Sequence, residues 1–145
     1  MTTMAIWFKP LMLEEINGRA NKGLSLVLGI EFIEIGDDFM RARMPVDERT
    51  HQPHGILHGG ASVVLAETIA SVGATRAVDR TQYRCVGLEI NANHLSSVRD
   101  GYVIGTGRPI HLGKSTHVWD VRIADERGKP VCVSRVTMAV LKTAA

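Results

Sequence analysis

The sequence predicts an α+β fold in which an antiparallel sheet packs around one long helix. Three stretches alternate apolar and polar residues with a period of two, which is typical of half-buried strands. The stretch from Gly60 to about Val78 is instead apolar on nearly every face, as expected of a buried helix. The order of elements is a short helix, two strands, the long helix and four strands, which indicates the α+β class.

The alternating stretches define the strands and their buried faces. In each stretch the apolar residues share one parity and are expected to face the core. These sets are Met40, Ala42, Met44 and Val46; Val86, Leu88, Ile90 and Ala92; and Trp119, Val121 and Ile123. Residues 100–101 and 126–129 are typical of turns between neighbouring antiparallel strands. Consecutive hairpins are therefore expected to build one sheet.

The composition restricts the classes of function. The chain has 145 residues, 45% of them hydrophobic, which is enough for one domain with its own core. The 17 basic and 15 acidic side chains give a net charge of +2, so neither nucleic acid nor a membrane surface is indicated as a partner. We expect one domain over residues 1–145, with residues 1–20 as an N-terminal extension that contains the short helix.

The cysteines and the N-terminus indicate a cytoplasmic protein. Cys85 and Cys132 are too few for a disulfide framework, so reduced thiols are expected. The apolar residues 5–8 have no basic leader and are followed by Lys9 and Pro10, unlike a signal peptide. Neither a signal peptide nor a membrane span is predicted.

Glu67 is the most informative residue because it places a carboxylate in the apolar helix. Burying a charge costs several kcal/mol unless partners or a function offset the desolvation. On the same face, Ser71 is the only polar side chain one turn away. Glu67 is therefore either ion-paired with an arginine of a strand or partner subunit, or catalytic. The all-round apolar helix also predicts a homodimer, in which a second copy covers the face that the sheet leaves open.

Gly59 and Gly60 stand at the start of this helix. Helix N-termini present unpaired N–H groups and a positive dipole end, and glycine lets a ligand approach the backbone closely. A carbonyl oxygen that acquires negative charge would be stabilised there. A tight connection into the helix explains the two glycines equally well.

The preceding loop contains three histidines, which raises the alternative of a metal site. They are His51, His54 and His58. Pro53 and Gly55 argue against one continuous helical face, and no cysteine or carboxylate completes a ligand set. No metal site is predicted.

Two downstream segments contain candidate ligand groups. His94 shares the parity of the apolar row at residues 86–92, so it contacts a ligand or is a structural core histidine. Residues 111–116 form a turn whose backbone donors, hydroxyls and Lys114 ammonium could hold a phosphate. A plain Gly-Lys hairpin explains this turn equally well.

Several motifs together resemble one known family. They are Met44-Pro45-Val46-Asp47, Gln52-Pro53-His54-Gly55, Leu57-His58-Gly59-Gly60-Ala61, Leu65-Ala66-Glu67, Gly87-Leu88-Glu89-Ile90-Asn91-Ala92-Asn93-His94 and His111-Leu112-Gly113. The chain resembles the hot-dog-fold acyl-CoA thioesterases of the 4-hydroxybenzoyl-CoA class, which use a helical glutamate. The resemblance extends from about Leu28 to Leu141. It is strongest to the bacterial branch that includes 1,4-dihydroxy-2-naphthoyl-CoA hydrolases.

This resemblance implies hydrolysis of an aromatic or broad-range acyl-CoA without a cofactor or metal. It also implies a sheet wrapped around the long helix, dimers with shared active sites, and association of dimers into tetramers. Glu67 would be the nucleophile or general base. Gly59, through its backbone N–H, and Gln52, through its side chain, would donate to the carbonyl oxygen. His58 would orient the thioester, and Ser71 would hold the hydrolytic water.

The resemblance also assigns contacts along the substrate. Those to the pantetheine and acyl region are Gly87, His94, Leu95, Ser96 and Ser97, and those to the CoA nucleotide are His111, Leu112, Gly113, Lys114, Ser115 and Thr116. Two other functions stay open. A hot-dog hydratase or dehydratase pairs its carboxylate with a histidine in a different loop motif, and a non-catalytic acyl-CoA-binding domain would not need Glu67. The His-Gly-Gly and Asn-x-Asn-His segments favour hydrolysis.

Overall fold

A computed structural model describes residues 4–144 and confirms the predicted α+β hot-dog architecture. The elements are α1 (Leu13–Ala20), α2 (Gly23–Leu28), β1 (Glu31–Ile35), β2 (Met40–Pro45), α3 (Gly59–Ala77), β3 (Tyr83–His94), β4 (Tyr102–Leu112), β5 (Thr116–Asp125) and β6 (Pro130–Lys142). The long helix lies within one residue of its predicted bounds. The N-terminal region differs from the prediction, because it forms two short helices instead of one.

Within residues 4–144 the strands form one antiparallel sheet in the order β1-β2-β4-β5-β6-β3. The predicted turn at residues 126–129 does join β5 and β6. The prediction that residues 100–101 connect neighbouring strands is wrong, because β3 pairs with β6 while β4 pairs with β2. β3 is therefore an edge strand, and no strand in the described range pairs with its outer side.

The predicted alternation is confirmed in β2 and β5 and is wrong in the first half of β3. The fully buried sets in and next to β2 and β5 are Met40, Ala42, Met44 and Val46, and Trp119, Val121 and Ile123. In β3, Val86 and Leu88 are 43% and 61% exposed. The cause is a β-bulge at Leu88, which shifts the register against β6. Beyond the bulge, Ile90 and Ala92 pack against the core as predicted.

Glycines bring α3 and the sheet into close contact. A Cβ on Gly105 would lie 2.6 Å from Ile69 Cδ1, and one on Gly107 would lie 2.5 Å from Ile69 Cγ2. On the helix, a Cβ on Gly73 would lie 2.7 Å from the indole ring of Trp119. The absent side chains therefore set the distance between helix and sheet.

Gly73→Ala is expected to destabilise the fold, because the new methyl group must displace the buried Trp119 indole. Overpacking of this kind lowers the free energy of unfolding by ~1 to 3 kcal/mol. Urea unfolding followed by circular dichroism measures the change. Gly18→Ala is the matched control, since nothing lies within 4 Å of a Cβ there and alanine favours the helix. Equal midpoints for Gly73→Ala and the wild type would contradict the packing argument.

Both cysteines are free thiols, as predicted. Neither Cys85 nor Cys132 forms a disulfide within the described residues, and burial raises the pKa of both thiols. Among residues 4–144, no helix is both long enough and apolar enough to span a lipid bilayer.

Candidate active site

Glu67 lies near the middle of α3 with its carboxylate against the edge strand β3. A Cβ on Gly87 would lie 2.5 Å from Glu67 Oε1, so the missing side chain of Gly87 makes room for this carboxylate. Glu67 is half-buried. Within residues 4–144 no basic side chain forms an ion pair with it. The alternative of an ion pair with an arginine of a strand is therefore not found in the described chain.

Glu67 and Ser71 line one groove, which we call the Glu67 groove. Its volume is about 360 Å³, and its other walls come from α3 and from the N-terminal helices. Ser71 is one turn beyond Glu67, and its hydroxyl makes only a weak contact with Met138 Sδ, at 3.9 Å. Leu24 and Ser25 of α2 also line the groove. They carry no motif and precede the segment that resembles the thioesterases, so no sequence signal marked them.

Gln52, Gly59 and His94 line a second cavity of about 360 Å³ at the N-terminus of α3. Leu95, Ser96 and Ser97 line the same cavity. A Cβ on Gly59 would lie 2.7 Å from His94 Nε2, so the imidazole packs directly on this backbone. Gln52 Oε1 accepts a hydrogen bond from the N–H of His54, which leaves the Nε2 group of Gln52 to donate elsewhere. His94 is exposed and is therefore not the core histidine that the strand parity allowed.

His58 caps α3 by accepting the N–H of Gly60 through Nδ1 at 2.8 Å. A neutral imidazole that accepts through Nδ1 carries its proton on Nε2, which can then donate. The N–H of Gly59 has no acceptor among residues 4–144. The first turn of α3 therefore offers this N–H, at the positive end of the helix dipole, to a developing negative charge.

The three loop histidines do not converge. His51 Nε2 lies 2.8 Å from the carbonyl oxygen of Arg99, and His58 is engaged in the helix cap. His54 is exposed. In the part of the chain that the structure describes, no three histidine, cysteine or acidic side chains are grouped to hold a metal.

Glu67 and Gly59 lie too far apart in one chain to contact the same atom of a ligand. They are eight residues apart on α3, which corresponds to ~12 Å along the helix axis. Groups that act on one carbonyl must approach it to roughly 3 to 3.5 Å. Their neighbours on β3, Gly87 and His94, are likewise seven residues apart along the strand. One chain thus pairs Glu67 with Ser71, and Gln52 with Gly59, but does not bring the two sets together.

The turn at residues 111–116 is a hairpin at the same end of the sheet as Gly87. The residues paired across this row are Leu112, His117, Met138 and Gly87. Three strand spacings place the hairpin ~14 Å from β3. The N–H of Gly113 donates to the carbonyl of Thr116 at 2.9 Å, and Lys114 and Ser115 are exposed at the tip. Behind the tip, burial and to a smaller extent His111 lower the pKa of His117, so its imidazole is neutral at pH 7.

Comparisons with known sequences agree with the fold and with the motifs. Residues 54–132 match the family model described as the Thioesterase superfamily. The chain is 50% identical over 141 residues to the Pseudomonas aeruginosa protein PA1618, and this match covers 97% of each chain. It is 49% identical over 136 residues to 1,4-dihydroxy-2-naphthoyl-CoA hydrolase of Escherichia coli, covering 94% of this chain and 99% of that protein.

Solved structures give the same result. A crystal structure of a mutant of the thioesterase PA1618 from Pseudomonas aeruginosa has a TM-score of 0.94 and 49% identity, covering 96% of this chain and all of that one. A mutant of SAV0944 from Staphylococcus aureus, in which a glutamate is changed to alanine, has a TM-score of 0.81 and 40% identity, covering 83% of this chain and all of that one. A second SAV0944 structure, of a mutant of this thioesterase enzyme, carries a glutamine-to-alanine change. It has a TM-score of 0.78 and 40% identity, covering 81% of this chain and 97% of that one.

Proposed function

The chain belongs to the Thioesterase superfamily, and from this premise we propose that it hydrolyses an aromatic or broad-range acyl-CoA with Glu67 as the essential carboxylate. The observation that carries the proposal is the position of that carboxylate. It is half-buried in a groove, stands over the bare backbone of Gly87, and has no basic partner in residues 4–144. The name of the Escherichia coli relative supports an aromatic acyl group.

A spacing supports the assignment of Glu67 and Gln52 as partners. The two SAV0944 structures carry glutamine-to-alanine and glutamate-to-alanine changes that are fifteen positions apart in that protein. Gln52 and Glu67 are also fifteen positions apart in this chain. We therefore assign Gln52 and Glu67 to one reaction.

The chemistry requires an activated carbonyl and an oxygen nucleophile. In the proposed mechanism the Gly59 N–H and the Gln52 Nε2 group donate to the carbonyl oxygen, while the His58 Nε2–H orients the thioester. Glu67 either attacks the carbonyl carbon to form a mixed anhydride or deprotonates a water held by Ser71. In both routes the C–S bond breaks and CoA leaves as the thiolate. On the first route water then hydrolyses the anhydride, which releases the free acid and restores the Glu67 carboxylate; on the second route the proton taken up by Glu67 passes to the thiolate. No cofactor is needed for these steps.

We propose that each active site combines Glu67 of one chain with Gly59 and Gln52 of a second copy. The ~12 Å between Glu67 and Gly59 along α3 prevents one chain from supplying both. The outer side of β3 offers the contact surface, since Leu88 is 61% exposed and no described strand pairs there. A two-fold axis near Ile90 would place the Gly87 end of one β3 beside the His94 end of the other. Further association of dimers into tetramers belongs to the same proposal.

The remaining contacts follow the substrate away from the carbonyl. We propose that the cavity around His94, which includes Leu95, Ser96 and Ser97, holds the pantetheine arm. The exposed hairpin at residues 111–116 would then bind the nucleotide end of CoA through its backbone donors and Lys114.

Release of free CoA thiol from a panel of acyl-CoAs tests the reaction itself. The panel contains benzoyl-, hydroxybenzoyl- and 1,4-dihydroxy-2-naphthoyl-CoA and straight-chain acyl-CoAs of increasing length. We expect thiol release from the aromatic substrates. A protein that released no thiol from any acyl-CoA would overturn the proposed function.

Gln52→Ala is expected to lower kcat by ~10² to 10³-fold, which is the usual loss for one oxyanion donor. The Gly59 N–H remains, so the loss should be smaller than that of Glu67→Gln. Steady-state thiol release from benzoyl-CoA measures it. Gln82→Ala is the control, because Gln82 is exposed and bonded to Asp79 away from both cavities. Wild-type turnover by Gln52→Ala would remove Gln52 from the mechanism.

Gly87→Ala is expected to lower kcat/KM on the order of 10²-fold, since its methyl group pushes the Glu67 carboxylate from its place. A misplacement of ~1 Å costs about this much. The obstructed atom is the end of a flexible side chain, so the urea midpoint should stay near that of the wild type. The two measurements together separate displacement of the carboxylate from general damage. A large loss of stability with normal kcat/KM would contradict the placement of Glu67 over Gly87.

A further inference from the structure

The Glu67 groove does not end at Ser71. A further cavity of about 370 Å³, distinct from the one around His94, adjoins the Glu67 groove and is lined in part by the same residues. The shared residues are Ala20, Ser71 and Val72. This further cavity continues past Thr75 to the C-terminal part of α3 and the loop that follows. Together the two cavities form one channel between α3 and the N-terminal helices, which we call the extended groove.

The far end of the extended groove carries an excess of positive charge. The cations that line it are Arg19, Lys22, Arg76 and Arg80, and no acidic residue of the described chain lines it. Glu15, just outside, is 2.9 Å from Arg76 and 3.7 Å from Arg19. Lys22 and Arg80 form no salt bridge among residues 4–144. Burial, followed by the charges of Arg76 and Arg19, lowers the pKa of Arg80, and the carboxylate of Glu15 offsets this shift only in part.

Between Glu67 and Thr75 the extended groove has both apolar and hydroxyl side chains. Ala20, Val72 and Leu24 offer apolar surface to a hydrocarbon chain, and Leu24 is 55% exposed although it is a large apolar side chain. The hydroxyls beside them belong to Thr68, Ser71 and Thr75. Thr75 is eight residues beyond Glu67 on α3, so Arg76 and Arg80, which follow it, lie more than ~12 Å from Glu67 along the helix axis. With carbon–carbon bonds of ~1.5 Å, this is roughly the span of an extended chain of eight to ten carbons.

We propose that the extended groove selects an acyl group that ends in a carboxylate, which Arg80 and Lys22 bind while the thioester carbonyl lies at Glu67. The inference rests on the proposed function, because it takes Glu67 to mark the reacting carbon. A guanidinium matches a carboxylate in a planar, two-pronged hydrogen bond, and the ammonium of Lys22 adds a second charge. Ala20, Val72 and Leu24 contact the methylene chain.

The phosphates of CoA carry the same kind of charge and could occupy the same cations. The acyl group and CoA leave the carbonyl carbon in opposite directions, so one groove holds only one of them. In the proposed function the pantetheine arm occupies the separate cavity around His94, on the Gly59 side of the carbonyl. We therefore assign the extended groove to the acyl side.

Hydrolysis of paired substrates tests the assignment. The ω-carboxy acyl-CoA and the straight-chain acyl-CoA of the same ten-carbon length are compared, each also as the dephospho-CoA thioester. We expect the wild type to favour the ω-carboxy substrate in kcat/KM by about 10- to 100-fold, the range for charge-assisted hydrogen bonds. In Lys22→Gln/Arg80→Gln this ratio should fall at least ~10-fold, and Arg80→Lys should keep part of it. Arg127→Gln removes a charge from the exposed β5–β6 turn and should leave the ratio unchanged.

Three other outcomes would contradict either this inference or the proposed function. A wild-type ratio near one, with thiol release from both substrates, overturns this inference and leaves the proposed function intact. If the double variant loses both substrates by one factor, and the loss disappears for dephospho-CoA thioesters, the cations bind the nucleotide and the inference is wrong. Failure of the wild type to release thiol from every acyl-CoA would instead remove the proposed function.

Discussion

Glu67→Gln is expected to lower kcat for thioester hydrolysis by roughly 10³-fold, within the range found for positioned acid–base groups. The amide keeps the shape of the side chain over Gly87 but can neither attack a carbonyl carbon nor accept a proton from water. Because Glu67 has no ion-pair partner among residues 4–144, its neutralisation should leave the urea midpoint near the wild-type value. Thiol release and urea unfolding measured on the same preparation check both expectations.

Glu48→Gln is the matched control for this variant. Glu48 is an exposed carboxylate that lines neither the Glu67 groove nor the cavity around His94, so the same chemical change there should not affect turnover. Equal rates for Glu67→Gln and Glu48→Gln would show that the carboxylate in α3 is not catalytic.

Leu88→Asp is expected to produce a folded monomer with little activity. Leu88 is 61% exposed at the bulge of β3, so the substitution removes nothing from the core of one chain. In the proposed dimer it places an unpaired carboxylate at the contact between the two β3 strands, where the cost of its desolvation opposes their pairing. Each active site then loses both oxyanion donors of the partner, and one such donor is worth ~10² to 10³-fold in turnover. Sedimentation velocity at micromolar concentration and thiol release measure the two effects.

Leu26→Asp is the control, since Leu26 is 54% exposed and belongs to α2, not to β3. It should keep the wild-type sedimentation coefficient and turnover. A monomeric Leu88→Asp protein with full activity would contradict the shared site.

The elements of the fold could be predicted from the sequence, but the strand order could not. Periodicity reports which face of a strand is buried, and it correctly placed Met40 and Trp119 in the core. It does not report which strand is the neighbour, so the pairing of β3 with β6 was missed. The bulge at Leu88 could not be predicted either, because the sequence does not distinguish an apolar residue on an unpaired edge strand from one in the core.

The candidate site shows a similar division. Motifs marked Gln52, Gly59 and His94, and the structure brings these three residues to one cavity. A motif does not show how far apart its residues lie, and the ~12 Å between Gly59 and Glu67 became decisive only once both were placed on one helix. Leu24 and Lys22 precede every recognisable motif, so their place along the groove followed from packing alone.

Mixing two inactive variants tests the central claim most directly. Co-expressed Glu67→Gln and Gln52→Ala chains form mixed dimers. One site of such a dimer takes its intact Glu67 from the Gln52→Ala chain and its intact Gln52 from the Glu67→Gln chain. If the sites are shared, random pairing should restore about a quarter of wild-type thiol release. If each site is built within one chain, no site is intact and the mixture cannot exceed the mean of the two separate variants. Recovery to about a quarter is the result we predict, and activity at or below that mean would contradict it.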